Sequence, residues 1–290
     1  MARRRPLSTA VRRRRIIAAV LLLVIVVAAV VISVVAVGRH IRATPPPPPP
    51  PPRPFRIVFP EGFTRALMGV RVKVVAKIAE HERHGSVRLN ESAYLAASGK
   101  AVVACFSRKP QQNLEGFLFP ATYDFLAGTT SKQLVENQLV TFCRRWSQVN
   151  LAYARSRGLT PYAVLKIASM IEREAAVPSE RPLIAAVIYN RLHDRMQLGI
   201  DATLRYGLHI PPTQSITESE LASSNPYNTR KLFGLPPTPI ANPGLASIEA
   251  AAHPAHVDYL YFVRKPDHLH NYFTASVSAF DQYLATHGYK

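Results

Sequence analysis

The chain has 290 residues, 48% of them hydrophobic, with a net charge of +18 and two cysteines, enough apolar material for one sizeable core or two small ones. Seven arginines fall within residues 1–15, leaving a scattered +11, and no recognisable nucleic-acid module accompanies it, so no nucleic-acid partner is expected. Nucleophile elbows of the G-x-S-x-G type, phosphate loops and dinucleotide fingerprints are likewise missing.

Ile16 to Val37 is an unbroken run of 22 uncharged residues, polar only at Ser33, and long enough to cross a bilayer as a helix. It exceeds the apolar region of a cleaved signal peptide, and no small-x-small cleavage site follows. The arginines before it outweigh Arg39 and Arg42 after it. The positive-inside rule therefore predicts a cytoplasmic tail (1–15), a single-pass signal anchor (16–38) and the remainder outside. A basic extracytoplasmic domain is drawn to anionic head groups and wall polymers. Pro45 to Pro52 is an octaproline within a linker spanning 39–54, and it should form an extended polyproline stalk with a reach of roughly 25 Å.

From Phe55 the pattern becomes that of a folded α+β unit. Phe55 to Phe59 alternates as a strand, and Pro60-Glu61-Gly62 makes a turn. Phe63 to His81 carries an amphipathic pattern through Leu67, Val70, Val74, Val75 and Ile78. A further element runs from Asn90, a plausible cap, to Ala97. The run Leu114 to Tyr123, L-E-G-F-L-F-P-A-T-Y, is aromatic-rich and more in keeping with core packing than with a sugar platform; its Glu115 is an acidic candidate read as structural. Ser131 to Trp146 is a predicted helix. Cys105 and Cys143 are able to bond in an oxidising compartment, although both have the apolar surroundings of ordinary buried thiols.

Thr160 and Pro161 form a helix start, and the helix should run to about Ala176, with Pro178 as its stop. Lys166, Ser169 and Arg173 share one polar stripe. Glu172 and Glu174 project from the apolar arc, about 100° to either side of Arg173. A carboxylate in such surroundings either finds a cation, here Arg181 or Arg191, or its pKa rises until it holds its proton. In the second case it is suited to general acid catalysis. Periodicity does not choose between the two glutamates.

Beyond Leu208 seven prolines between 211 and 243 forbid long helices. Tyr227, Asn228 and Thr229 offer an aromatic face, an amide and a hydroxyl, suited to sugar recognition or to turn-making. Tyr259 to Val263 and His270 to Phe273 read as strands, and Ser276 to Thr286 as a closing helix. His253, His256, His268 and His270 fit no zinc spacing, so no metal and no cofactor is expected.

The run IASMIEREAAVPSERPLIAAVIYNRL resembles the core signature of the endolytic murein transglycosylases, the MltG or YceG-like family. Asp201-Ala202-Thr203, S-N-P-Y-N-T-R (Ser224–Arg230), G-L-P-P-T-P-I-A-N-P-G (Gly234–Gly244), A-A-A-H-P-A (Ala250–Ala255) and Y-L-Y-F-V (Tyr259–Val263) continue the likeness in order. The resemblance implies a LysM-like subdomain at 55–110 and a catalytic transglycosylase domain at 111–290, whose catalytic carboxyl is Glu174, assisted by Asp201. It further implies cleavage of the MurNAc–GlcNAc bond of peptidoglycan strands to 1,6-anhydro ends at the bacterial cell membrane, alongside peptidoglycan synthases and the division or elongation machinery. Gly199-Ile200 departs from the polar pair that many members have before the aspartate. Two alternatives compete: a hydrolytic muramidase, with Glu115 or Asp201 as the second carboxylate, and a non-catalytic wall-binding or division scaffold.

Overall fold

A computed structural model describes residues 9–42, 51–107 and 109–288 of the chain. It divides into two compact units, one ending at Pro52 and one beginning at Arg53. The first contains α1 (Thr9–Arg42), whose apolar stretch is extended at both ends by helical turns carrying arginines. Among the described residues it is the helix long and apolar enough to cross a membrane. Most of the expected stalk, residues 43–50, lies outside the described residues.

In the second unit, β1 (Phe55–Val58) pairs antiparallel with β2 (Thr122–Phe125), Ile57 opposite Tyr123. Ile57, Tyr123 and Phe125 point inward, as period-two alternation requires. Between the two strands lie α2 (Arg65–Arg83), capped by Thr64, and α3 (Glu91–Ala97), capped by Asn90, whose Oδ1 accepts from the Ala93 N–H at 2.8 Å. α4 (Ser131–Trp146) follows β2 with a capping box formed by Thr130 and Gln133. The aromatic run at 117–119 is core, as expected. Phe117 is fully buried and meets Phe106 and Phe142 edge-on at 4.9 and 5.2 Å.

α2 departs from its sequence pattern. Its buried face is Met68, Gly69, Val72, Ala76 and Ala79, whereas Leu67, Val70, Val74 and Ile78 are exposed. Gly69 faces inward because α3 approaches closely there: a Cβ on it would meet the Leu95 side chain at 3.0 Å. The large aliphatic residues that make the periodicity visible lie on the other side.

The remaining elements are α5 (Ala152–Ser156), α6 (Pro161–Glu174), a 3-10 turn (Pro178–Glu180), α7 (Arg181–His193), α8 (Asp201–Leu208), α9 (Glu218–Leu221), α10 (Leu245–Ala252), the antiparallel pair β3 (Tyr261–Arg264) and β4 (Asn271–Thr274), and α11 (Val277–Thr286). α6 packs between α7 and α10, and Val164, Leu165, Ile167, Ala168, Met170 and Ile171 are all fully buried. It ends at Glu174, short of Ala176, because Ala175 is already extended. Ser169 belongs to this buried set rather than to a solvent stripe, and its Oγ accepts from the Ile240 N–H at 3.0 Å. Asp201 is the first residue of α8 and not part of a loop.

Cys105 and Cys143 are joined in a disulfide with Cα atoms 5.5 Å apart, tying the segment after α3 to α4 across 38 residues of chain. A closed loop of that size restricts the unfolded chain by about 4 kcal/mol in the chain-entropy account. Replacing both cysteines with serine should lower stability by about 2–4 kcal/mol, read as a fall in the urea midpoint with a steeper slope, because the freed unfolded chain exposes more surface. An unchanged midpoint would mean that the bridge does not constrain the unfolded chain.

Candidate active site

The two glutamates at the end of α6 part company in three dimensions. Glu172 Oε2 accepts from the Gly244 N–H at 3.0 Å, at the N-cap of α10, where a carboxylate meets free backbone donors and the positive end of the helix. Glu61 lies against the same glycine, close enough that a Cβ on Gly244 would collide with its carboxylate. Burial, and then the charge of Glu172, push the Glu61 pKa up. Glu172 thus belongs to the helix junction. Neither arginine named from the sequence takes the role foreseen for it. Arg181 Nε donates to Ser247 Oγ at 3.1 Å, while Arg191 donates to the carbonyls of Leu260 and Leu198 at 2.5 and 2.8 Å.

Glu174 faces the other way, onto a cavity of about 550 Å³ that is also lined by Arg191, Gly199, Asp201, Arg230, Arg264 and Asn271. Its carboxyl is packed round by protein, yet the residue keeps a partial opening to this space. Burial raises its pKa, and the neighbouring Asp201 carboxylate raises it further. The Arg264 charge, the Ala202 N–H at the start of α8 and the Arg173 charge oppose the rise. Burial and a like charge thus favour the protonated form, against a helix N-terminus and two cations that favour the ionised one. A protonated carboxyl beside a cavity is a candidate general acid.

Each supporting group is itself held. Arg264 Nη2 donates to the Glu174 backbone carbonyl at 2.5 Å, at the C-terminus of α6, where a cation is favoured. Arg230 Nε lies 2.5 Å from Asp201 Oδ1, with both side chains about half exposed (45% and 46%). Glu180 is buried and clamps the start of β4, its carboxylate accepting from the Asn271 N–H at 2.9 Å and from Asn271 Nδ2 at 2.6 Å. Gly199 adopts a left-handed φ of +62°, and a Cβ there would lie 3.1 Å from Arg191 Nη1. Ile200 is buried, with its N–H donating to Thr229 Oγ1 at 3.1 Å.

Of the binding candidates, Asp201 lines this cavity. Asn228 and Thr229 turn inward. Asn228 Nδ2 donates to the Leu221 and Ser223 carbonyls at 2.9 and 2.8 Å, and Thr229 Oγ1 bonds Thr203 Oγ1 at 2.9 Å. They shape the loop that carries Arg230. Tyr227 is partly buried, its hydroxyl 2.8 Å from Thr238 Oγ1. Arg230, Arg264 and Glu180 were not singled out from the sequence; Arg230 closes the S-N-P-Y-N-T-R run and Glu180 lies in S-E-R, so both were visible as motif members without an assigned role.

Glu115 lines a different cavity, about 370 Å³, on the Ala202–Tyr206 side of α8. Its carboxylate accepts from the Arg65 N–H at 2.9 Å, Asn242 Nδ2 at 2.8 Å and the Tyr206 hydroxyl at 3.1 Å, which fits a structural tie. Burial pushes its pKa up to about 7 against these hydrogen bonds. A carboxyl whose folded pKa is raised stabilises the fold through its bound proton. That contribution is complete below the unfolded value of 4.5 and is lost as pH rises through about 7. The wild type should therefore lose stability, by up to about 3 kcal/mol relative to Glu115→Gln, as pH rises across this window. Thermal melts of the two proteins from acid to neutral pH check this; parallel curves would contradict it.

The sequence profile of the YceG-like family matches residues 40–286. The endolytic murein transglycosylase of Bacillus subtilis (strain 168) is 38% identical over 162 residues, covering 55% of this chain and 44% of that protein. The protein of the same name from Streptococcus pneumoniae (strain ATCC BAA-255 / R6) is 34% identical over 178 residues, covering 60% of this chain and 32% of that one. The chain therefore spans less than half the length of these curated relatives. A crystal structure at 2.6 Å of a protein described as YceG-like, from Listeria monocytogenes, matches with a TM-score of 0.66 and 27% identity over 79% of this chain and 75% of its own. By sequence profile and by fold, the chain belongs to the YceG-like family.

Proposed function

We propose that this chain is a membrane-anchored endolytic lytic transglycosylase of peptidoglycan, with Glu174 as its single acid–base residue. The observation that carries the reading is the Glu174 carboxyl, enclosed at the edge of a cavity with the Asp201 carboxylate as neighbour. The relatives named endolytic murein transglycosylase supply the substrate class.

Protonated Glu174 donates its proton to the glycosidic oxygen between N-acetylmuramic acid and N-acetylglucosamine. The C1–O bond breaks and positive charge develops at the muramyl ring, where the Asp201 carboxylate stabilises it. Ionised Glu174 then removes the proton of the muramyl 6-hydroxyl, and that oxygen closes onto C1. The product is a 1,6-anhydro end, and no water is consumed. Cutting within nascent strands in this way terminates their elongation. Gly199-Ile200 brings no polar side chain to the cavity, so substrate contacts on this side fall to Arg191, Arg230 and Arg264. α1 anchors the chain, and the arginines before its apolar stretch hold the N-terminus in the cytoplasm.

Asp201 also supports a second reading. With two carboxyls on one cavity, the chain would be a hydrolytic muramidase if Asp201 activated water or attacked C1.

Digestion of purified glycan strands by the chain from Arg53 onward, followed by product mass, separates the two. Anhydro ends, one water lighter than reducing ends, are expected. Glu174→Gln keeps the shape but removes the transferable proton, and should lower the rate by about 10²–10⁴. Glu172→Gln, at the α10 cap, should keep much of the activity. Reducing ends, or an active Glu174→Gln beside a dead Glu172→Gln, would overturn the assignment.

A further inference from the structure

The exposed side of α2 carries an apolar stripe that the fold leaves uncovered among the described residues. Leu67, Val70, Val74 and Ile78 are 46%, 48%, 49% and 51% exposed and lie within an arc of about 80° along three turns. Arg71 and Lys77 flank the stripe, each about 20° beyond one of its edges. Along α2 five arginines and lysines stand against two glutamates, Glu80 and Glu82, both in its last turn, and Lys73 is paired with Glu91 at 3.3 Å. Branched aliphatic side chains between cations, on the outer side of a helix that already packs its other face, are the pattern of an interfacial helix.

We propose that this face of α2 lies on the anionic head-group surface of the bilayer. The inference rests on the membrane anchoring by α1 proposed above, which keeps the folded unit within reach of lipid at high effective concentration. Charge also favours lipid over a second copy of the chain, because a two-fold contact through this stripe would gather the like charges of Arg71 and Lys77 from both copies. A glycan is a poorer match, since the stripe has neither an aromatic ring nor an amide. Contact through α2 would hold the catalytic unit at the membrane surface, where nascent strands emerge.

The test uses the full chain in vesicles of phosphatidylglycerol and phosphatidylcholine. Because the native cysteines are bonded to each other, Val74→Cys accepts a single fluorescent label, and Val140→Cys, 69% exposed on α4, provides the control. The labelled chain should float with the vesicles, and lipids brominated on the acyl chain should quench Val74 several-fold more than Val140. Each cation near an anionic surface favours contact by about fivefold, so Arg71→Gln with Lys77→Gln should weaken docking by about 25-fold and abolish the difference. A chain that floats with equal quenching at both sites would overturn the docking and leave the anchor standing. So would energy transfer between labelled copies without quenching. A chain that does not float would overturn both.

Discussion

Glu174 sits where the C-terminus of α6 meets the N-terminus of α8, and the geometry of the site follows from that junction. Placing a carboxyl there sets burial and the Asp201 charge against the Ala202 N–H and the Arg264 guanidinium. Burial and the like charge prevail, and the pKa is raised. The same helix end presents Glu172 to the start of α10, two residues earlier and on the opposite flank. About half a turn of helix thus separates a carboxylate used to join helices from one facing a cavity.

A buried polar framework holds that junction. Asn242 uses its whole amide: Oδ1 accepts from the Gly116 and Leu118 N–H groups, both at 2.9 Å, and Nδ2 donates to the Phe63 carbonyl and to Glu115 Oε1. Gly116 is required beside it, with φ at +89° and Pro239 Cγ 2.6 Å from where a Cβ would stand. Through Glu115 this framework reaches Tyr206, and so α8. Glu180 does the equivalent for the β3–β4 hairpin that carries Arg264. Unpaired, such buried groups would each be costly, so together they specify one arrangement.

Local signals were legible where physics is local. Thr160-Pro161 and Asn90 start helices through contacts spanning three residues and appear as read, and the helix read from Ser131 begins there behind a Thr130–Gln133 capping box that only the structure showed. Signals that depend on what packs against an element were not. In α2 the aliphatic residues of one face dominate the pattern, but the face that packs is the one carrying Met68, Val72 and the Gly69 that α3 approaches closely. Asn228 and Thr229 look alike as sugar ligands or turn formers, and their solvation is decided by Thr203 and Leu221, distant in the pattern. The choice between Glu172 and Glu174 depends on Gly244 and Asp201, which local periodicity cannot place. The resemblance of the E-R-E run to the family singled out Glu174, and the structure adds a reason why the two positions differ.

The account turns on the electrostatics of Glu174, which are open to direct measurement. Carboxyl carbon-13 NMR of the folded unit, with the Glu174 resonance assigned through Glu174→Gln, would follow its titration in the wild type and in Asp201→Asn. The account predicts a pKa above the ordinary glutamate value in the wild type, because of burial and the Asp201 charge, and a lower one once that charge is removed. A Glu174 that titrates at the ordinary value of about 4.3, unmoved by Asp201→Asn, would contradict it.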